Sequence, residues 1–253
     1  MSATVAQILA LVDKIAPFEL AEEWDNVGLL AGRPDAGVDT VLCALDLSMA
    51  VLEEAGRRNA QLIVTHHPIL FRGRKNLNET DAEGRLLCAL VRSGIALIAA
   101  HTNFDNAQPG VNDALASVLG LKDVRVLESG MRVGTPRQAD FGAFADHAEA
   151  VLGGPVRRYG DAKKPIHRVA VLGGAGEDYA AIARAGGADC YLTGEMAYHK
   201  AMDNLDNGLM ILEAGHAATE NPAISALRRG LQIAADAVQY DICVLQSEAE
   251  LFF

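Results

Sequence analysis

The sequence predicts an α/β fold made of two similar halves with a small α+β insert between them. Three observations predict it. Short apolar runs of strand length recur along the chain, most of them followed by a helix-length segment, which is the rhythm of a largely parallel sheet. The rhythm also repeats. Leu62-Ile63-Val64-Thr65-His66-His67 matches Cys190-Tyr191-Leu192-Thr193-Gly194-Glu195, and His101 to Asp105 matches His216 to Glu220. Between the matching parts, residues 123–165 lose the rhythm and show short alternating runs. The halves are therefore residues 1–122 and 166–253, the insert is 123–165, and the whole is expected to pack as one compact unit.

Residues 5–15 place Val5, Ile8, Leu9, Val12 and Ile15 on one helical face, and Pro17 makes continuation unfavourable. Residues 22–28 form a loop with the sole tryptophan, Trp24, beside acidic side chains. Packing considerations send Trp24 into the core; the alternative is a loop bordering a site. Residues 40–45 read as a buried strand with Asp46 its first polar residue, 50–58 as a helix, and 62–65 as the strand that delivers His66 and His67.

Residues 68–78 are irregular and contain the basic patch Arg72-Gly73-Arg74-Lys75, read as a solvated loop or a meeting point for an anionic ligand. A helix over 82–93 stops at Gly94, a strand over 95–100 ends at His101, and 111–119 is helical. In the insert, strands near Val124-Arg125-Val126 and Val156-Arg157-Arg158-Tyr159 flank a helix over 140–152. A strand over 167–172 then leads into Gly173-Gly174-Ala175-Gly176, a tight turn or a phosphate cradle. Helices over 180–185 and 223–229 alternate with strands over 190–193 and 209–212, and a last strand falls within 237–245.

Composition narrows the functional classes. A formal net charge of −11 argues against a general nucleic-acid binder, though a bound dication would reverse the local sign for an anionic substrate. Cys43, Cys88, Cys190 and Cys243 form no CxxC pair and read as reduced core thiols. No long apolar run or signal-type N-terminus stands out, so the expected location is cytoplasmic, with no membrane partner.

The chemistry gathers at strand ends, where ligands of parallel sheets collect. Thr65-His66-His67-Pro68 puts adjacent imidazoles after an apolar strand, a pattern that packing explains poorly. If a helix starts just after each strand, His101 with Asp105 and His216 with Glu220 lie one turn apart on one face. Imidazoles and carboxylates in this number exceed what one open tetrahedral zinc needs and suit a pair of divalent ions bridged by a carboxylate and water. With no cysteine among them, the donors fit Zn, Mn, Fe or Ni. Glu195 and His199 repeat the four-residue spacing and are candidate catalytic, proton-moving or substrate-contacting groups, whereas His147 and His167 read as surface residues.

Glu23-Trp24-Asp25-Asn26-Val27-Gly28-Leu29, Thr65-His66-His67-Pro68, His101-Thr102-Asn103-Phe104-Asp105, Gly194-Glu195 and Gly215-His216-Ala217-Ala218-Thr219-Glu220 together resemble the GTP cyclohydrolase 1 type 2 family of dinuclear metal-centre hexameric proteins. The resemblance runs through nearly the whole chain with the motifs in order. It implies that His66, His67, Asp105, His216 and Glu220 are metal ligands, with Glu220 bridging and His101 either a ligand or a supporting group. It also implies a homo-hexamer and a small-molecule substrate, GTP or another nucleotide or heterocycle, opened hydrolytically. The competing expectation is a non-enzymatic metal-binding, metal-trafficking or regulatory interaction protein built on the same ligands.

Overall fold

A computed structural model describes residues 3–249. In chain order its first elements are β1 (Ala3–Thr4), α1 (Val5–Ile15), β2 (Gly28–Ala31), β3 (Gly37–Val38), β4 (Thr40–Ala44), α2 (Met49–Arg57) and β5 (Leu62–Thr65). There follow α3 (Ala82–Ser93), β6 (Ala96–Ala99), α4 (Thr102–Asn106), α5 (Val111–Val118), β7 (Lys122–Val126), β8 (Arg132–Thr135) and α6 (Phe141–Leu152). The chain continues with β9 (Arg157–Tyr159), β10 (Val169–Leu172), α7 (Ala180–Ala185) and β11 (Cys190–Thr193). It closes with α8 (Tyr198–Asp206), β12 (Met210–Glu213), α9 (His216–Ala237) and β13 (Cys243–Gln246). Two compact units result: one runs through Ala107 and resumes at Ile224, the other is Gln108–Ala223.

The first unit holds a five-stranded sheet in the order β13-β4-β5-β6-β2. β13, β4, β5 and β6 run parallel, and β2 is antiparallel on β6. Every residue of β5 and β6 is buried, which is why these strands read as apolar runs, broken only by Thr65 at the end of β5. Local signals fix the helix ends. Thr4 and Gln7 form a reciprocal capping box on α1, Asp81 caps α3, and Gly94 closes α3 in the left-handed region. Buried Glu54 on α2 accepts the Ser247 hydroxyl and the Glu248 and Ala249 amides, tying the segment after β13 to this unit.

The second unit holds a six-stranded sheet in the order β7-β8-β10-β11-β12-β9, with β10, β11 and β12 parallel at its centre. Here the boundaries differ from those expected. Residues 123–165 form no separate insert: β8 pairs antiparallel with β10, β9 pairs antiparallel with β12, and α6 packs Phe141, Phe144 and Leu152 into the same core as Val169, Leu192 and Leu212. Three parallel strands leave two bare edges, and the supposed insert covers both. The first unit ends near residue 107 rather than 122, and β13 returns to the first sheet rather than completing the second half.

α8 has no counterpart among the elements expected from the sequence. α9 begins at His216 and runs straight through Pro222, where the sequence suggested only residues 223–229. All four cysteines are free, but only Cys43 and Cys190 are buried, and burial pushes the Cys43 thiol up to about 12.

The repeat is present in the backbone. In the first sheet β5 lies between β4 and β6, with Thr65 opposite Ala99; in the second β11 lies between β10 and β12, with Thr193 opposite Glu213. Just past the strands the same bond recurs: the Ala100 amide donates to Thr65 O at 2.9 Å, and the Ala214 amide donates to Thr193 O at 2.9 Å.

Candidate metal centre

At the end of β5 the His66 side chain is buried and its neighbour His67 only partly so. His101 forms the N-cap of α4, which brings Asp105 round so that its Oδ1 lies 3.8 Å from His66 Nε2. Ligating atoms of His66, His67 and His101 all lie within 4.8 Å of one another. In the second unit His216 opens α9 and Glu220 sits one turn on, with its Oε2 3.2 Å from His216 Nε2. The expected placement of helices immediately after strands is therefore found at both sites.

All four candidate histidines share one arrangement. His66 Nδ1 meets the Ala100 carbonyl at 2.8 Å, His67 Nδ1 meets Asp46 Oδ1 at 2.8 Å, His101 Nδ1 meets Asp25 Oδ1 at 2.9 Å, and His216 Nδ1 meets Glu195 Oε1 at 2.8 Å. Each partner is a pure acceptor, so Nδ1 must carry the proton, and in the neutral ring the lone pair is on Nε2. A carboxylate or carbonyl behind Nδ1 is how metal-ligating histidines are oriented and made more basic. The donors also carry excess negative charge, because carboxylates accompany imidazoles in both units, and a divalent cation would balance it.

Asp25 is the most built-in of these partners, with no side-chain exposure. Its Oδ1 accepts from His101 and from the Asn26 amide, and its Oδ2 accepts from the Thr102 amide and hydroxyl. Burial alone would raise its pKa; the hydrogen bonds from His101 and Thr102 together outweigh burial and hold the carboxyl well below the usual range. Neither Asp25 nor Asp46 stands out in the sequence as a site residue. The available signals are Asp46 as the first polar residue after a buried strand and Asp25 within an acidic loop beside the only tryptophan.

Gly173 to Gly176 serve the site by staying small. Gly174 has φ +67°, and a Cβ there would fall 2.3 Å from Glu220 Oε1 and 3.2 Å from His216 Nε2. Its amide donates to Thr219 Oγ1, and the Gly173 amide donates to Asn112 Oδ1. These two N–H groups are therefore committed to side chains and are not free to hold a phosphate.

Other expectations separate here. Glu195 is on His216, as a positioning carboxylate with a side chain 56 % exposed. His199 is exposed on α8 with its ring against Tyr198, and among the described residues no hydrogen bond joins it to His216, Glu220 or Glu195. Arg74 is taken by Asp81 and Glu83 at 2.7 and 2.6 Å and so leaves the basic patch unable to act as one unit. Trp24 does not plug the core: it is 60 % exposed and lies edge-to-face with His101, so the loop borders the site.

The family model described as Duf34/NIF3 (NGG1p interacting factor 3) matches residues 3–250. A Clostridium acetobutylicum protein named GTP cyclohydrolase 1 type 2 homolog is 32 % identical over 243 residues, covering 92 % of this chain and 91 % of that protein. A Streptomyces coelicolor protein of the same name is 36 % identical, covering 86 % and 82 %. Among solved structures, a Bacillus cereus protein related to NIF3 superposes with a TM-score of 0.94 at 25 % identity, covering 99 % of both chains.

Proposed function

The chain belongs to the Duf34/NIF3 family, and from that membership and its four Nδ1-anchored histidines we propose a dinuclear metal-dependent hydrolase acting on a nucleotide or related heterocycle. The residues that would hold a pair of divalent ions, Zn, Fe, Mn or Ni, are His66, His67, His101 and Asp105 of the first unit and His216 and Glu220 of the second. The observation that carries this reading is the uniform Nδ1 anchoring, which turns every Nε2 into a donor atom. When bound, such a pair supplies Lewis acidity and lowers the pKa of water.

The protein's own groups do the rest. Asp25, Asp46 and Glu195 hold the rings in register, the glycine turn makes room for Glu220, and Glu195, more than half exposed, is the proposed proton carrier. GTP is the first substrate to try, because the relatives carry the GTP cyclohydrolase 1 type 2 homolog name. A homo-hexamer and a cytoplasmic location belong to the same proposal; no helix among the described residues is long and apolar enough to cross a membrane.

The test pairs metal-loaded protein with its Glu220→Gln variant against GTP. Turnover by the first and none by the second, with circular dichroism unchanged, is the expected result; equal turnover by both would sink the assignment. A second reading, a non-enzymatic metal-handling or interaction protein, is favoured by the family's own description as an interacting factor. It predicts reversible metal uptake with no turnover of any nucleotide or heterocycle.

A further inference from the structure

Trp24 is the sole tryptophan of the chain, and it sits in the open. Phe71 beside it is 46 % exposed. Ring centroids are 5.7 Å apart for Trp24 and Phe71, 6.3 Å for Trp24 and His101, and 6.1 Å for Phe71 and His101. The corresponding interplanar angles are 74°, 76° and 83°, so three aromatic planes meet as a corner.

The corner is held rather than loose. Asp25, next to Trp24, is locked to His101 and Thr102, and the Asn26 side chain donates to the Leu70 carbonyl at 2.7 Å, tying the tryptophan loop to the segment before Phe71. Two exposed aromatic rings held in fixed positions against a candidate metal ligand are poor packing and good recognition.

The spacing decides what kind of ligand fits. Centroids 5.7 to 6.3 Å apart are contact distances for edge-to-face rings, so no cation fits between the walls as in an aromatic cage. A metal held by His101 would also repel a cation. What remains is an outer aromatic face, suited to a flat, neutral ring. We propose that Trp24 and Phe71 form the aromatic corner that receives the planar heterocycle of the substrate, one ring against its face and the other against its edge, presenting it beside His101. This deepens the hydrolase reading and rests on it. Arg72, exposed and with no hydrogen bond or ion pair among the described residues, comes directly after Phe71 and supplies a cation for an anionic substituent of the same molecule.

Because Trp24 is the sole tryptophan, its emission reports on this corner alone. Metal-loaded and metal-free protein are titrated with guanosine, GMP, GTP and inorganic triphosphate while tryptophan emission is monitored. Saturable quenching by the three purine compounds and none by triphosphate is expected. Phe71→Ala should weaken GMP binding about 5- to 150-fold, the range that loss of one base–aromatic stack produces. Trp24→Leu, measured by equilibrium dialysis with labelled GMP, should weaken it similarly while metal content stays at the wild-type level. Arg72→Ala should weaken GTP more than guanosine.

Absence of saturable quenching, or unchanged GMP binding by Trp24→Leu, overturns the proposal. So does an emission shift on dilution without nucleotide, which would mean that a second copy of the chain covers the patch. Metal content separates the two layers: metal bound without ring binding defeats the aromatic corner alone, whereas no metal uptake by wild-type protein defeats the hydrolase reading.

Discussion

Replacing Asp25 by asparagine keeps the shape of the side chain, removes its charge and leaves a donor where only acceptors fit. Each carboxylate oxygen accepts a backbone amide: Oδ1 takes the Asn26 N–H at 2.8 Å, and Oδ2 takes the Thr102 N–H at 3.0 Å. Whichever way the new amide turns, its NH2 faces a backbone N–H that cannot retreat. That mismatch costs roughly 1–3 kcal/mol, and loss of the charge assistance to His101 and the Thr102 hydroxyl adds about 1 kcal/mol. The predicted loss of stability is therefore about 2–4 kcal/mol.

The amide's orientation also decides the state of His101. With the NH2 at the Oδ1 position, His101 can accept at Nδ1 only by moving its proton to Nε2, which then ceases to be a metal donor. Urea unfolding of the metal-free protein measures the first effect, and zinc titration the second. A lower unfolding midpoint with metal affinity reduced roughly 10- to 100-fold is expected. Wild-type midpoint and wild-type affinity together would refute the claim that Asp25 organises this side of the site.

Gly174→Ala places a Cβ 2.3 Å from Glu220 Oε1 in a backbone region that costs an L-residue about 1–2 kcal/mol, so Tm and metal content should both fall. Asp46→Asn and Glu195→Gln change side chains that are 52 % and 56 % exposed, so unfolding free energy should move by less than about 0.5 kcal/mol. Metal affinity should nonetheless fall roughly 10- to 100-fold by isothermal titration, and unchanged affinity would deny these carboxylates their positioning role. Asp113 is partly buried, yet its hydrogen bonds to Arg132 and the Gly110 amide outweigh that burial and depress its pKa. A depressed carboxyl contributes stability that is present above about pH 4 and is lost as pH falls through the folded-state value. Asp113→Asn should therefore flatten the acid limb of a stability–pH curve, and an unchanged limb would contradict this.

The range of each interaction decides which features are legible in the sequence. β5, β6, β10 and β11 are readable because parallel strands covered on both faces are almost wholly apolar, with only Thr65 and Thr193 breaking the runs at their last positions. His66 and His67 are readable because polar rings directly after such a run demand a reason. Asp25 stays hidden because its partner His101 lies 76 residues away, a pairing that no local pattern encodes. β8 stays hidden because it opens with Arg132, whose burial depends on Asp113 elsewhere in the unit. Trp24 misleads because hydrophobicity does not say which side of a loop a ring takes. Pro222 misleads because proline usually marks a helix end, yet α9 continues through it.

Under the proposed function these histidines and carboxylates hold a pair of metal ions. Elemental analysis after metal reconstitution and desalting tests it most directly, with the His66→Ala and Glu220→Ala variants as controls. About two ions per chain are expected for the wild type, with a clear deficit in both variants. Fewer than about one ion per chain in the wild type, or full occupancy in the variants, would contradict it.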